Sequence, residues 1–123
     1  MESKLAELNA AMTDHADFPK PGVLFKNIMP LFNSPRLLTL LGDVLEEAIK
    51  TNYPDCTKLV GLESRGFLMG MAVAQRLQVG FVPVRKRGKL PGATYRQEYA
   101  LEYGTDCVEL EKNALVAGDN GKY

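Results

Sequence analysis

An α/β fold, a parallel strand–helix–strand unit with an antiparallel hairpin inserted after it, is what this sequence predicts, and three observations carry that prediction. Two short apolar runs, Leu59–Leu62 and Phe81–Val84, bracket a segment in which Phe67, Met71, Ala74 and Leu77 recur at helical spacing. A strand, a crossover helix and a second strand make a right-handed βαβ unit with its strands parallel. Beyond it, Tyr95, Tyr99, Leu101 and Tyr103 fall on one side of an alternating pattern, with Arg96, Glu98 and Glu102 on the other, which is the periodicity of a strand.

Taken in order, Leu5, Leu8 and Met12 give the segment Ser3–Met12 a helical face. Phe18-Pro19-Lys20-Pro21-Gly22 is a loop set by two prolines and a glycine, and Lys26-Asn27 closes the short apolar run Val23-Leu24-Phe25. Ser34 is a good N-cap with Pro35 at the first helical position. The helix it opens has Leu37, Leu38, Leu41, Val44, Leu45, Ala48 and Ile49 as one apolar stripe and ends near Tyr53-Pro54. Pro83 has no N–H to give a ladder, so the Phe81–Val84 strand is expected at the sheet edge. In the hairpin, spanning roughly Tyr95 to Leu110, Gly104-Thr105-Asp106 reads as the turn and Cys107–Leu110 as the return strand.

Composition narrows the function classes. The 123 residues, 46% apolar and 24% charged, suit a single folded domain, and no repeat or linker divides them. Fifteen basic residues balance fifteen acidic ones, which argues against binding nucleic acid or an anionic membrane through bulk charge. No apolar run approaches a membrane span, and Met1-Glu2-Ser3-Lys4 lacks a signal-peptide pattern. Cys56 and Cys107 make neither a disulfide framework nor a zinc site, so a reduced, cytoplasmic protein is expected. His15 is the sole histidine, which disfavours paired-His metal sites and a Ser-His-Asp mechanism; no metal ligands are assigned.

Two features point to a phosphorylated ligand. Glu63-Ser64-Arg65-Gly66 lies where a strand hands over to a helix, and the N–H groups and positive end of a helix start favour an anion. Arg65 adds a planar fork suited to phosphate oxygens. Arg85-Lys86-Arg87-Gly88-Lys89 places four positive charges at the end of the next strand, on the sheet edge where α/β proteins bind ligands. On charge alone, a solvated surface cluster explains that run equally well. Neither a G-x-x-x-x-G-K-[ST] loop nor a G-x-G-x-x-G fingerprint is present. By themselves, Glu102 reads as a solvent-facing carboxylate, Tyr103 as packing, and His15 as surface.

In sequence order, Asp17-Phe-Pro-Lys-Pro-Gly-Val-Leu-Phe-Lys-Asn-Ile-Met-Pro-Leu31, Val60-Gly-Leu-Glu-Ser-Arg-Gly-Phe67, Val82-Pro-Val-Arg-Lys-Arg-Gly-Lys-Leu-Pro-Gly92 and Tyr99-Ala-Leu-Glu-Tyr-Gly104 together resemble the adenine phosphoribosyltransferases, from about Asp17 to Asp119. The resemblance implies a partial phosphoribosyltransferase-type parallel sheet with an inserted hood hairpin. It divides the single domain into an adenine-binding segment (17–33), a βαβ unit with a pyrophosphate loop (59–84), and a basic loop with the hood (85–112). The implied reaction of purine salvage joins adenine to 5-phosphoribosyl 1-pyrophosphate, giving AMP and pyrophosphate. Leu24, Phe25 and Lys26 are implied in binding adenine, with Phe25 stacked on the base. Ser64, Arg65, Arg85, Lys86 and Lys89 are implied in holding pyrophosphate, the basic cluster approaching the partner's pocket in a homodimer. Arg65 and Lys86 are then expected to face one pocket, with Phe25 on its other side. Glu102 and Tyr103 are the implied catalytic residues, Glu102 managing proton and charge near the forming bond. Mg²⁺ is implied, carried mainly by the substrate phosphates, and the Glu63–Ser64 peptide bond is expected to be cis.

Members of this family continue into a strand ending in two acidic residues and a Gly- and Thr-rich loop for the ribose 5-phosphate, and no such pair followed by such a loop occurs here. The expectation is a C-terminally truncated chain, weakly active or inactive, with Leu59–Leu62 left as an exposed apolar edge. Gly121-Lys122-Tyr123 can be encoded by the start of an intron, which makes intron retention one account of that tail. The alternative function is a non-catalytic splice form or fragment that binds adenine weakly or pairs with a full-length subunit. A DNA-binding relative would need an added basic module that neither the length nor the charge supplies.

Overall fold

The structure, a computed structural model, describes residues 1–101 and 104–122. The chain forms two compact units, Met1–Ala48 and Ile49 onward, each with its own packing.

In the first unit, helix α1 (Glu2–Ala11) is followed by strands β1 (Thr13–Ala16) and β2 (Leu24–Asn27), the short helix α2 (Met29–Asn33) and helix α3 (Pro35–Asn52), which continues into the second unit. Leu8, Leu31 and Val44 form its core, with Ile28, Leu37, Leu40 and Leu41 packed against them. Ser34 caps α3 as its sequence predicts, its Oγ accepting the Leu37 N–H at 3.2 Å. Leu38, placed by spacing in the apolar stripe, is exposed; Leu40 packs on the core in its stead. β1 and β2 pair antiparallel, from Thr13↔Asn27 to Ala16↔Leu24. β1 has no signature in the sequence because all four of its residues are exposed, and an apolar alternation arises only where one face is buried.

The second unit is a five-stranded sheet made of β3 (Lys58–Leu62), β4 (Gly80–Lys86), β5 (Thr94–Leu101), β6 (Gly104–Glu111) and β7 (Gly121–Lys122), in the order β5-β6-β4-β3-β7. Helix α4 (Arg65–Leu77) makes the crossover, and β3 and β4 run parallel from Leu59↔Phe81 to Leu62↔Val84, the predicted βαβ unit. Leu59, Val73, Ala74, Val82 and Cys107 are buried in this unit. The antiparallel hairpin is present as β5 and β6, in register from Thr94↔Glu111 to Leu101↔Gly104.

Three details depart from the sequence reading. β4 is not an edge strand, because β6 pairs with its end at Arg85↔Glu109 and Lys86↔Val108. Pro83 is tolerated because that pairing begins two residues beyond it, while Gly80 and Val84 bond to the β3 side (Gly80 N–H to Thr57 C=O, 3.1 Å; Glu63 N–H to Val84 C=O, 2.9 Å). By strand alternation Pro83 then presents its missing donor to the uncovered side. Gly104–Asp106 belongs to the return strand and not to the turn. Lastly, the edge of β3 is covered at its start, where β7 pairs at Lys58↔Gly121 and Leu59↔Lys122.

Glycines let α4 lie close to the sheet. A methyl on Gly61 would stand 2.6 Å from the Gly66 carbonyl oxygen and 2.7 Å from the Phe81 ring, and one on Gly70 would stand 2.4 Å from that ring. Phe81 meets Phe67 edge-on, with centroids 6.1 Å apart. This contact sets where the first turn of α4 begins relative to the end of β3.

Candidate functional site

β3 ends at Leu62 and α4 begins at Arg65, so Glu63 and Ser64 form the whole connection. The Glu63–Ser64 peptide bond is cis, as the resemblance implied. Ser64 is the N-cap but makes no side-chain cap bond, and the first N–H groups of a helix have no intrahelical acceptor. This helix start therefore presents donors and the positive end of the helix dipole, with Arg65, exposed, as its first residue.

The basic segment reaches the same edge of the sheet, because β4 runs parallel to β3 and ends at Lys86. Glu63 links the two. Its Oε1 accepts from Arg85 Nε at 3.0 Å and from the Lys86 N–H at 3.3 Å. The Arg85 hydrogen bond first, and the Lys86 N–H after it, hold the Glu63 carboxyl below its ordinary pKa. Arg85 Nη1 lies 3.4 Å from the Lys89 carbonyl, and the Lys89 N–H donates to the Lys86 carbonyl at 3.3 Å, closing a tight basic turn. Arg87 pairs with Glu98 at 3.5 Å. Lys86 and Lys89 are exposed, and among the described residues no ion pair occupies either.

A second carboxylate fixes the far side of this turn. Glu109, 3% exposed, accepts from the Thr94 hydroxyl at 2.6 Å and the Gly88 N–H at 2.8 Å, with Arg96 Nε at 3.4 Å. The Thr94 hydroxyl, then the Gly88 N–H, keep its carboxyl below the ordinary range. Gly88 has φ +81, where a side chain is strained. Reading the sequence missed both Glu63 and Glu109 as organisers. Glu63 could have been found from its place beside Ser64 and Arg65, whereas Glu109 has no local signal, its partner Gly88 being 21 residues away.

In the first unit, Leu24 and Lys26 share one face of β2 and are exposed, while Phe25 on the opposite face is half-buried. Lys26 pairs with Asp14 at 3.3 Å. The preceding loop is pinned by Phe18 N–H to Val23 C=O at 3.1 Å and by Gly22 N–H to the Asp17 carboxylate at 2.9 Å. The Phe18–Pro19 bond is cis. Phe18 meets Phe25 with centroids 5.1 Å apart and planes at 67°, an aromatic neighbour that the sequence reading did not single out.

Glu102 and Tyr103 lie outside the described residues. In the described part of the hairpin, the Tyr99 hydroxyl donates to Asp106 at 3.1 Å. Among the described residues no three His, Cys, Asp or Glu side chains converge as a metal site, and no helix is long and apolar enough to cross a membrane. A cavity of about 380 Å³, lined by residues of Asn52–Cys56 and Asp119–Gly121, opens at the start of β3, the end opposite Glu63.

No protein-family model matches the chain. Among curated proteins, it is 50% identical over 112 residues to the adenine phosphoribosyltransferase of Streptomyces coelicolor, covering 91% of this chain and 60% of that one. It is 45% identical over 116 residues to adenine phosphoribosyltransferase 1 of Saccharomyces cerevisiae, covering 93% and 62%. The crystal structure of the Saccharomyces cerevisiae enzyme, complexed with an imino-altritol bisphosphate and adenine, matches with a TM-score of 0.95 at 43% identity, over 98% of this chain and 70% of that one. The Giardia lamblia enzyme, complexed with 9-deazaadenine, matches with a TM-score of 0.84 at 36% identity, over 95% and 64%. The chain thus spans about 60% of the length of the curated relatives it matches.

Proposed function

This chain belongs to the adenine phosphoribosyltransferase family, and from that membership we propose that it serves the joining of adenine to 5-phosphoribosyl 1-pyrophosphate, yielding AMP and pyrophosphate. The observation that carries the reading is the shared sheet edge, where the start of α4 and the Arg85–Lys89 turn are bridged by Glu63. In displacement at the anomeric carbon, negative charge grows on the departing pyrophosphate while the sugar becomes cation-like. Donors already fixed where that charge develops stabilise the transition state without reorganising. Ser64, Arg65 and the first N–H groups of α4 serve as those donors, with Arg85, Lys86 and Lys89 added from the basic turn. The yeast relative, solved with adenine and a bisphosphate, supports a base-plus-phosphate pair of ligands.

Phe25 stacks on the adenine in this reading, and backbone groups near Leu24 and Lys26 read its edge. Glu102, with Tyr103 beside it on the hood, manages the proton of the base. Mg²⁺ accompanies the substrate phosphates: the chain offers no carboxylate cage among its described residues, and a basic site suits a metal that arrives already bound to phosphate. When bound, it would neutralise part of the pyrophosphate charge. A homodimer in the cytoplasm belongs to the same proposal.

Calorimetric titration of the 123-residue polypeptide with pyrophosphate and with adenine tests the reading, alongside an assay of AMP formation. Saturable binding of both ligands, with weak turnover or none by this polypeptide alone, is the expected result. Binding of neither ligand refutes it. Vigorous turnover would refute the expectation of a weak or inactive chain.

A further inference from the structure

Glu63 is an anomaly at an anion site. Its carboxylate lies in the two-residue connection that precedes the Arg65 helix start, where a bare negative charge repels the ligand the site is built to attract. Yet every bond it makes ties the two anion-binding segments together. Its N–H donates to the Val84 carbonyl at 2.9 Å, and its Oε1 accepts from Arg85 Nε at 3.0 Å and from the Lys86 N–H at 3.3 Å. Gripped at Nε, the Arg85 guanidinium is fixed in its plane, with Nη1 laid against the Lys89 carbonyl at 3.4 Å. Three of the basic groups implied in holding pyrophosphate thus take their placement from one carboxylate. Its side chain is only 20% exposed, so water screens the pair less than a fully solvated one.

We propose that Glu63 is a positioning residue for pyrophosphate: it locks the Arg85–Lys89 turn against the loop that carries Ser64 and Arg65, and its ordering effect outweighs its charge repulsion. This rests on the pyrophosphate reading above. The sign of the effect separates the two roles of the carboxylate, since Glu63→Gln keeps the shape and removes the charge. Pyrophosphate affinity should fall about tenfold or more in Glu63→Gln, the loss of one charge-assisted hydrogen bond, while adenine affinity stays near wild type. In the Arg85→Ala background, Glu63→Gln should cost much less, because its principal partner is gone. Glu63→Asp, which keeps the charge but draws it back from Arg85 Nε, should also weaken pyrophosphate binding and keeps the test usable if Glu63→Gln folds poorly.

Unchanged or tighter pyrophosphate binding by Glu63→Gln overturns the inference, as does an equal loss in both Arg85 backgrounds. If wild type binds no pyrophosphate, the pyrophosphate reading itself fails and takes the inference with it. Adenine affinity that falls in step with pyrophosphate affinity marks a general structural defect and also overturns the positioning role.

Discussion

Gly61→Ala is the substitution most directly set by the packing of α4 on β3. The added methyl would sit 2.6 Å from the Gly66 carbonyl oxygen and 2.7 Å from two Phe81 ring carbons, against an ordinary separation of about 3.5 Å. The Phe81 ring can tilt, but the Gly66 carbonyl is backbone in the first turn of α4, so the helix start must retreat by roughly 0.9 Å to reach that separation. Overpacking of this kind costs about 1–3 kcal/mol, and a backbone obstacle places Gly61→Ala near the upper end. With an m-value of about 1–3 kcal/mol/M, the urea midpoint should fall by roughly 1–3 M. Pyrophosphate affinity should fall as well, because the retreating turn carries Arg65. Gly80→Ala is the control. Also a strand glycine, it would meet only the flexible Lys58 side chain, at 3.3 Å, and should change stability by less than about 0.5 kcal/mol. Equilibrium urea unfolding of both variants decides the matter. Gly61→Ala within about 0.5 kcal/mol of wild type, or less destabilised than Gly80→Ala, would refute the packing argument.

Glu109→Gln should loosen the basic turn, since the Gly88 N–H and the Thr94 hydroxyl donate to different carboxylate oxygens and an amide leaves one of those donors facing an NH₂ group; faster tryptic cleavage after Arg87 and Lys89 than in wild type is the expected readout. Acid should destabilise the fold. Glu63, Asp106, Glu109 and Asp119 are all held below their ordinary pKa by hydrogen bonds, chiefly from Arg85, the Cys107 N–H, the Thr94 hydroxyl and the Val116 N–H respectively. The unfolded chain then binds protons first as pH drops, so this stability is present above about pH 4.5 and is lost as pH falls through the lowered folded values; unfolding midpoints measured from pH 7 down to pH 3 should show it, with a shallower decline in Glu109→Gln. Gln78 closes α4 in the left-handed region at φ 58 and ψ 44, so Gln78→Gly should raise stability by about 1 kcal/mol in thermal unfolding. Phe25→Ala should weaken adenine binding while leaving pyrophosphate affinity of the same polypeptide near wild type.

The βαβ unit was legible in the sequence because its signals are local. Leu59–Leu62 and Phe81–Val84 are short apolar runs, and Phe67, Met71, Ala74 and Leu77 repeat at the helical period within one turn of each other. Ser34 caps α3 through a neighbour three residues away. The candidate pyrophosphate residues were legible for a related reason: a strand-to-helix turn and a run of like charges each occupy a few consecutive positions, and the resemblance joined them. Short range is what a linear pattern records.

Only the tertiary structure decided which distant groups meet. The exposed β1 became a strand through its pairing with β2, and β4 became interior because β6 reached its last two residues. Gly121 and Lys122 took the free side of β3. The partnerships of Glu63 with Arg85, across 22 positions, and of Glu109 with Gly88, across 21, leave no periodicity to read. A carboxylate on a strand or in a loop has the same sequence signature whether it faces water or holds a guanidinium. Which of these it does depends on where the sheet brings the partner, and the register of strands far apart in the chain sets that place.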